Sequence, residues 1–241
     1  MCIAIYSPKG TRLPQRKTLE VCFANNPDGI GYMYEENGKY HIRKGFLTFD
    51  SFWEDYKNQR LNKRNEVFYH FRIATSGFKD FKSECHPFPI SKKIKDLKAL
   101  DIICESALLH NGVLGQGERD LTDTMIFVKD IMTPLLPYLR KDPAIENAIR
   151  SITTGSKIIL ADQGKVYLFG KFEKYKGNYF SNDSYKKVKP QFDIKNWFLD
   201  DNWNPYHVEK LCPFCESEEV LQIENSNKYY CFECNKEFDE I

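Results

Sequence analysis

The sequence predicts a layered α+β protein, an antiparallel-sheet domain followed by a small cysteine-bearing module. Three observations carry this. Hairpin-type turn signals separate pairs of apolar, β-rich segments. Segments of helical period gather in groups instead of alternating with single strands, which argues against a doubly wound βαβ sheet. Two Cys-x-x-Cys pairs close the chain.

The elements follow in order. Residues 2–6 read as a buried strand, and a short helix runs to about Asn25. Asn26-Pro27-Asp28-Gly29 is a turn. Residues 30–35 and 39–46 flank Asn37-Gly38, a strong hairpin signal. Phe49, Phe52, Trp53 and Tyr56 fall at helical spacing, so the spacing predicts an amphipathic helix over 48–60. Residues 66–73 and 102–109 read as strands, the second ending at His110-Asn111-Gly112. Thr122 is placed to cap a helix starting near Asp123, which Pro134 should bend or end. A second helix follows Pro143. Strands over about 156–162 and 165–170 surround Gln163-Gly164, and a third covers about 177–182. Residues 190–208, with Pro190 and Pro205, read as a linker. The expected division is a domain over 1–189, that linker, and a terminal module over 209–241.

Composition narrows the function classes. The 241 residues suffice for one large domain with an appendage. A hydrophobic content of 41% and an aromatic content of 15% supply a core and argue against disorder. No apolar run approaches the roughly 20 residues of a membrane helix. The opening stretch lacks the basic and long apolar regions of a signal peptide, so a cytoplasmic location is expected. The eight cysteines do not form the dense framework of a small secreted domain. Net charge is +1, but residues 209–241 hold three Lys against nine Asp or Glu, giving −6 and leaving +7 on the remainder. That bias is too mild to predict nucleic-acid binding.

The chemistry centres on Cys2. Read alone, it is a small apolar residue at the start of a strand. Removal of Met1, usual before a small residue, exposes an α-amine beside the thiol. With a pKa near about 8, such an amine takes the thiol proton and later returns one to a leaving group. The site then needs donors for an oxyanion and partners for substrate charges. Asn111 and Gly112 offer a side-chain N–H and a backbone N–H that can meet at one oxygen, although Asn-Gly alone is often only a turn. Arg72 lies in an apolar strand and requires an anion, either a structural carboxylate or a substrate. Asp123 serves as a helix cap or as the partner of a substrate ammonium.

Several segments then fall into one order: Met1-Cys2 before an apolar strand, Asp28-Gly29-Ile30-Gly31, His70-Phe71-Arg72-Ile73-Ala74-Thr75-Ser76-Gly77, His86-Pro87-Phe88, His110-Asn111-Gly112, Asp123-Thr124 and Ser181-Asn182-Asp183-Ser184. Over residues 1 to about 185 this resembles the class II glutamine amidotransferase domain of the N-terminal-nucleophile hydrolases, in the stand-alone form found in bacteriophage genomes. The resemblance implies a four-layer αββα sandwich. It implies Cys2 as nucleophile with its own amine as base, and Asn111 and Gly112 as the oxyanion hole. It implies Arg72 on the substrate α-carboxylate, Asp123 on the α-ammonium, and Thr75 and Ser76 in the same pocket. Three positions depart from the family pattern. Ile73 stands where Trp is common, Ser76 where His often precedes the final Gly, and Glu84 where Asn is common before the His-Pro pair. They touch the substrate pocket more than the reaction centre. His86 and His110 read mainly as structural.

Cys212-Pro-Phe-Cys215 and Cys231-Phe-Glu-Cys234 lie fifteen residues apart. Two such knuckles make a tetrahedral thiolate site for Zn²⁺. The module resembles a zinc ribbon with paired strands at 219–224 and 228–232. Four ligands leave no open position, so the expected zinc is structural and catalysis needs no cofactor. The acidic charge disfavours phosphate binding through this module and favours a protein contact.

The expected function is hydrolysis of glutamine to glutamate and ammonia, with the ammonia passed to a partner, because only the small module follows the domain. A γ-glutamyl or other small-amide hydrolase keeps the same chemistry. A non-catalytic binding protein that uses the ribbon for contact is the alternative of a different class. L-Glutamine is the expected small-molecule ligand; nucleic acid and membrane are not expected partners.

Overall fold

The structure is a computed structural model that describes residues 2–73, 82–118 and 120–186, then 213–214, 220–222, 228–231 and 236–239. The chain divides into two units, Met1–Val188 and Lys189–Ile241. In the first, β1 (Ile3–Ser7) and α1 (Arg16–Asn25) precede the hairpin β2 (Ile30–Glu36) and β3 (Lys39–Phe46). Then come α2 (Phe49–Asn58), β4 (Val67–Phe71), β5 (Phe88–Pro89), α3 (Ile94–Lys98), β6 (Asp101–Cys104) and β7 (Ser106–Asn111). A helical run follows as α4 (Asp123–Ile126), a π-helical segment (Phe127–Met132) and α5 (Thr133–Leu139), with α6 (Pro143–Ile152) after it. The hairpin β8 (Lys157–Asp162) and β9 (Lys165–Phe169) leads to β10 (Glu173–Tyr175) and β11 (Asn178–Phe180).

The described strands of this unit form two antiparallel sheets, ordered β10-β11-β1-β4-β2-β3-β6 and β5-β7-β8-β9. The period-two alternation of their side chains builds the core. In β1, Ile3 and Ile5 join Tyr32, Tyr69 and Phe71 against Leu19 and Cys22 of α1 and Phe52 and Tyr56 of α2. The intervening Ala4 faces the other way, with Met33 and Phe68, onto Leu109, Ile159 and Ala161 of the second sheet. Leu108, Ile158 and Leu160 alternate with these and pack on Met125, Val128 and Leu136 of the helical run and Ile149 of α6. Both faces of the central strands are buried, so their sequences read as nearly unbroken apolar runs.

Local chemistry accounts for the joints. Asn37 and Gly38 have φ of 54° and 77°, as a two-residue hairpin requires. Thr48 caps α2 by accepting from Ser51 N at 3.2 Å, and Asp142 caps α6 by accepting from Ala144 N at 2.8 Å. Gly31 has a different task. A Cβ there would collide with the His86 carbonyl oxygen, so the bare backbone lets the segment around residue 86 lie directly on β2.

Two expectations need correction. The single strand expected over 102–109 is two strands in two sheets: β6 pairs with β3, and β7 pairs with β5 and β8. The chain crosses between sheets at Glu105, and apolar residues on both sides conceal the break. Pro134 does not end its helix either. It lies in the first turn of α5, directly behind the π-helical segment, whose irregular turn accommodates the missing N–H within a continuous helical run. Thr133 Oγ1 donates to Val128 O at 2.7 Å across this junction.

Asp162, at the end of β8, is 3% exposed. It accepts from Arg140 Nε and Nη2 at 2.9 and 2.7 Å and from Ser106 Oγ at 2.5 Å. Burial pushes its carboxyl up, but these bonds outweigh that and hold it below the usual carboxylate range. Asp162→Ala should therefore cost about 2 kcal/mol, the partly exposed Arg140 lowering the penalty for a broken buried pair. Urea unfolding at pH 7.5 reads this, and an unchanged midpoint would refute it.

In the second unit, β12 (Val220–Gln222), β13 (Lys228–Cys231) and β14 (Glu237–Asp239) form an antiparallel meander, with Val220 opposite Cys231. The expected linker over 190–208 lies outside the described residues, as do Cys212, Cys215 and Cys234. Cys231 ends β13, and its side chain is likewise undescribed. Among the described residues, no helix is long and apolar enough to cross a membrane.

Candidate functional site

Cys2 sits just before β1, whose partner strand is β4. Ile3 pairs with Phe71, which places Cys2 beside Arg72 and Ile73. Its Sγ accepts from Ile73 N at 3.4 Å and lies 3.6 Å from Ile73 O. The start of the chain is clamped by the two residues that follow β11, which itself pairs with β1. Ser181 Oγ accepts from Ala4 N at 2.9 Å, Ser181 N donates to Ala4 O at 2.9 Å, and Asn182 Nδ2 donates to Cys2 O at 2.7 Å. Burial pushes the Cys2 thiol up, against the pull of the Ile73 N–H, the chain's amino terminus and Arg72. A thiol in this state needs a base before it can attack.

Cys2 opens into a cavity of about 180 Å³, also lined by Arg72, Glu84, His86, Gly112 and Asp123. At about 30 Å³ per water this has room for roughly six waters, the scale of a small-molecule side chain. Five separate stretches of the chain thus converge on one space. Arg72 is held by its backbone, which exchanges bonds with Gly29 O at 2.8 Å and Asp28 N at 3.0 Å. Its Nη2 donates to Glu84 Oε2 at 2.6 Å, with the two side chains 9% and 10% exposed. The anion that an apolar-flanked Arg demands is therefore present in the protein itself. Sequence reasoning marked Glu84 as a departure but did not pair it with Arg72.

Asp123 opens α4, and both of its oxygens are engaged. Oδ2 accepts from Leu114 N at 2.8 Å, and Oδ1 from Thr124 N at 2.7 Å. The carboxylate thereby ties α4 to the loop after β7 while its charge faces the cavity. Gly112 has φ of +147°, and a Cβ there would meet Ser156 Oγ at 2.5 Å and Ser156 Cα at 2.9 Å. Only glycine combines that backbone with that approach. Asn111 is buried at the end of β7 and is not among the residues lining the cavity. Its Nδ2 donates to Ser181 Oγ at 2.9 Å, and its Oδ1 has no hydrogen-bond partner among the described residues. Thr75 and Ser76 lie outside the described residues.

Three histidines cluster at the cavity, His86 and His110 in its wall and His70 behind them. His70 Nε2 donates to the His110 carbonyl at 3.0 Å. His110 Nδ1 lies 2.9 Å from Thr124 Oγ1, and its Nε2 lies 3.0 Å from Ser156 Oγ. Ser156 Oγ donates onward to Val113 O, and Thr124 Oγ1 donates to Asp123 Oδ1 at 3.2 Å, so the two hydroxyls link the imidazole to the loop carbonyl and to the carboxylate. The Asp123-Thr124-His110-Ser156-Val113 chain fixes the loop that presents Gly112. His86 packs 4.2 Å from the His70 ring centroid, with neither ring nitrogen hydrogen-bonded among the described residues. Burial lowers all three: His70 to about 3, His110 to about 4 against a counter-pull from Asp123, and His86 well below the ordinary range. Thr124 stands out in the sequence only as the neighbour of Asp123, and Ser156 carries no sequence signal, because a small hydroxyl residue near a turn is too common to stand out. Among the described residues, no group of three or more His, Cys, Asp or Glu is arranged to hold a metal ion.

No protein-family model matches the chain, and no curated protein matches it in sequence.

Proposed function

We propose that the protein is a cysteine-dependent amidohydrolase of the class II glutamine amidotransferase type, hydrolysing a glutamine-like side-chain amide to the acid and ammonia. The observation that carries this reading is the convergence of Cys2, Arg72, Gly112 and Asp123, from four distant stretches, on one small cavity. The Cys2 α-amine, freed by loss of Met1, takes the thiol proton. Sulfur attacks the amide carbon and the C–N bond breaks as the ammonium returns that proton to the leaving nitrogen. Water then cleaves the thioester and restores the thiol. The Gly112 N–H is one donor for the oxyanion. A second comes from Asn111 through a half-turn of its amide. Ser181 Oγ accepts from Ala4 N and retains a hydrogen of its own, so Asn111 Oδ1 can accept that hydrogen while Nδ2 is released. The three core clusters lie between helices and sheet, between the two sheets, and between sheet and helices, which supports the four-layer αββα reading.

The test is direct. Intact mass establishes loss of Met1, and the processed protein is offered a panel of small primary amides that includes L-glutamine. Ammonia release from one of them, with iodoacetamide labelling of Cys2 that this amide slows, is expected. A processed protein that releases ammonia from none of them would leave the binding-protein reading.

For the terminal module we propose a structural zinc ribbon. Four thiols in two Cys-x-x-Cys pairs are a donor set suited to Zn²⁺, and a three-stranded meander lies among them. Cys212, Cys215, Cys231 and Cys234 would hold the ion, which would supply folding energy and no catalysis. One zinc per chain is expected by elemental analysis of the purified protein; a metal-free sample with the cysteines reduced and the meander folded would overturn this. The module's acidity favours a protein partner, such as the acceptor of the ammonia.

A further inference from the structure

The Arg72–Glu84 pair changes what the cavity can accept. A site for free glutamine must offer a cation to the α-carboxylate and an anion to the α-ammonium. Here Asp123 supplies the anion, but the guanidinium already holds Glu84 at 2.6 Å, with both side chains nine-tenths buried. With Cys2 as the neutral thiol and neutral amine of the reactive state, the charged groups on the described cavity wall are Arg72, Glu84 and Asp123, one net negative charge. An entering carboxylate would have to share one guanidinium with a second carboxylate where both of those side chains are nine-tenths buried, and like charges so placed are strongly disfavoured. A substrate that brings one ammonium and no carboxylate balances the wall instead.

Resting on the amidohydrolase reading above, we propose that Glu84 is a specificity-determining residue that excludes the free α-carboxylate, and that the substrate class is a glutamine side-chain amide whose α-carboxyl is capped as an amide. The α-ammonium faces Asp123, the capped carbonyl runs past the neutral Arg72–Glu84 pair, and the side-chain amide reaches Cys2. Glutamine α-amide and water give glutamic acid α-amide and ammonia, by the thioester route already described. An amino-terminal glutamine of a peptide has the same chemistry.

The experiment compares L-glutamine with L-glutamine α-amide on the processed full-length chain, with mass spectrometry establishing that the side-chain nitrogen is lost. Wild type should show a kcat/KM roughly 10- to 100-fold higher for the α-amide, as expected for removing one buried like-charge contact. Glu84→Gln, which keeps the shape and removes the charge, should reverse the order by raising kcat/KM for free glutamine. Wild type preferring free glutamine, or a ratio unmoved by Glu84→Gln, overturns the proposal and leaves the hydrolase reading intact. Loss of ammonia release from both substrates and from the wider amide panel overturns the hydrolase reading itself. Should Glu84→Gln fail to fold, protection of wild-type Cys2 from iodoacetamide decides between the same two substrates. Stronger protection by the α-amide than by glutamine supports the proposal, and the reverse order refutes it.

Discussion

Cys2→Ala should release no ammonia above background, a loss on the order of 1,000-fold or more, because Cys2 is the one thiol among the described residues lining the cavity. The loss should be chemical and not structural. The thiol's contacts are the Ile73 N–H and carbonyl, at 3.4 and 3.6 Å, and the clamp on the chain end runs through the Cys2 carbonyl and Ala4, which the substitution keeps. Circular dichroism and the urea midpoint should therefore match wild type. A companion protein that retains an amino-terminal extension keeps the thiol but lacks the free α-amine. Burial holds that thiol protonated, so removing the base should cost about 100-fold or more. Full activity in the extended protein would move the base elsewhere and overturn the amine's role. Activity in Cys2→Ala would overturn the nucleophile.

The contrast between legible and hidden features follows from what a sequence encodes. Asn37-Gly38 announced its hairpin because only certain residues accept two consecutive positive φ angles. Helix α2 announced itself through Phe49, Phe52, Trp53 and Tyr56, because one face is buried and the other is not. The break at Glu105 stayed hidden because Ile102, Ile103 and Cys104 of β6 read on into the apolar run of β7, although β6 is exposed to half-buried and β7 is buried throughout. Strand β5, only Phe88–Pro89, is defined by its pairing with Leu108 and Ala107, which is information held by another segment.

The site divides along the same line. Cys2, Arg72, Gly112 and Asp123 stand out because each residue type is costly or unusual where it occurs, and the structure gathers them into one cavity. Which partner each one takes is a matter of three-dimensional competition. The pattern around Arg72 demanded an anion and left its source open; a twelve-residue excursion returns Glu84 to fill that demand. Asn111 reads as a donor, yet Ser181, seventy residues away, holds its amide. Gly31 reads only as part of a strand and of the Asp28-Gly29-Ile30-Gly31 segment; its constraint comes from the His86 carbonyl lying against it.

Acid should unfold the first unit through the histidines at the cavity. His70, His86 and His110 are buried and neutral; burial, one another's charge and the charges of Lys44 and Arg72 disfavour their protonation, and Asp123 favours it for His110. Their folded pKa values lie below the ordinary 6.5. The unfolded chain therefore binds more protons than the folded one as pH falls through 6.5, and stability declines with pH until the folded values, about 4 for His110 and about 3 for His70, are reached. Each histidine contributes about 1.4 kcal/mol per pH unit in that window, so the three together cost about 4 kcal/mol between pH 7.5 and 5.5. That is a large part of the roughly 5–15 kcal/mol typical of a whole domain. Urea unfolding of the full chain at the two pH values measures it directly. His86 supplies the internal control. Neither of its nitrogens is bonded among the described residues, so His86→Leu removes a titrating group without orphaning a donor or acceptor there. The variant should lose about a third of the pH dependence and keep its stability at pH 7.5 within about 1 kcal/mol. Equal midpoints at both pH values in wild type, or an unchanged slope in His86→Leu, would show that the histidines are not the acid-sensitive element. The same neutrality leaves the charge of the cavity wall to Arg72, Glu84 and Asp123 at pH 7.5, the balance on which the choice of a singly cationic substrate depends.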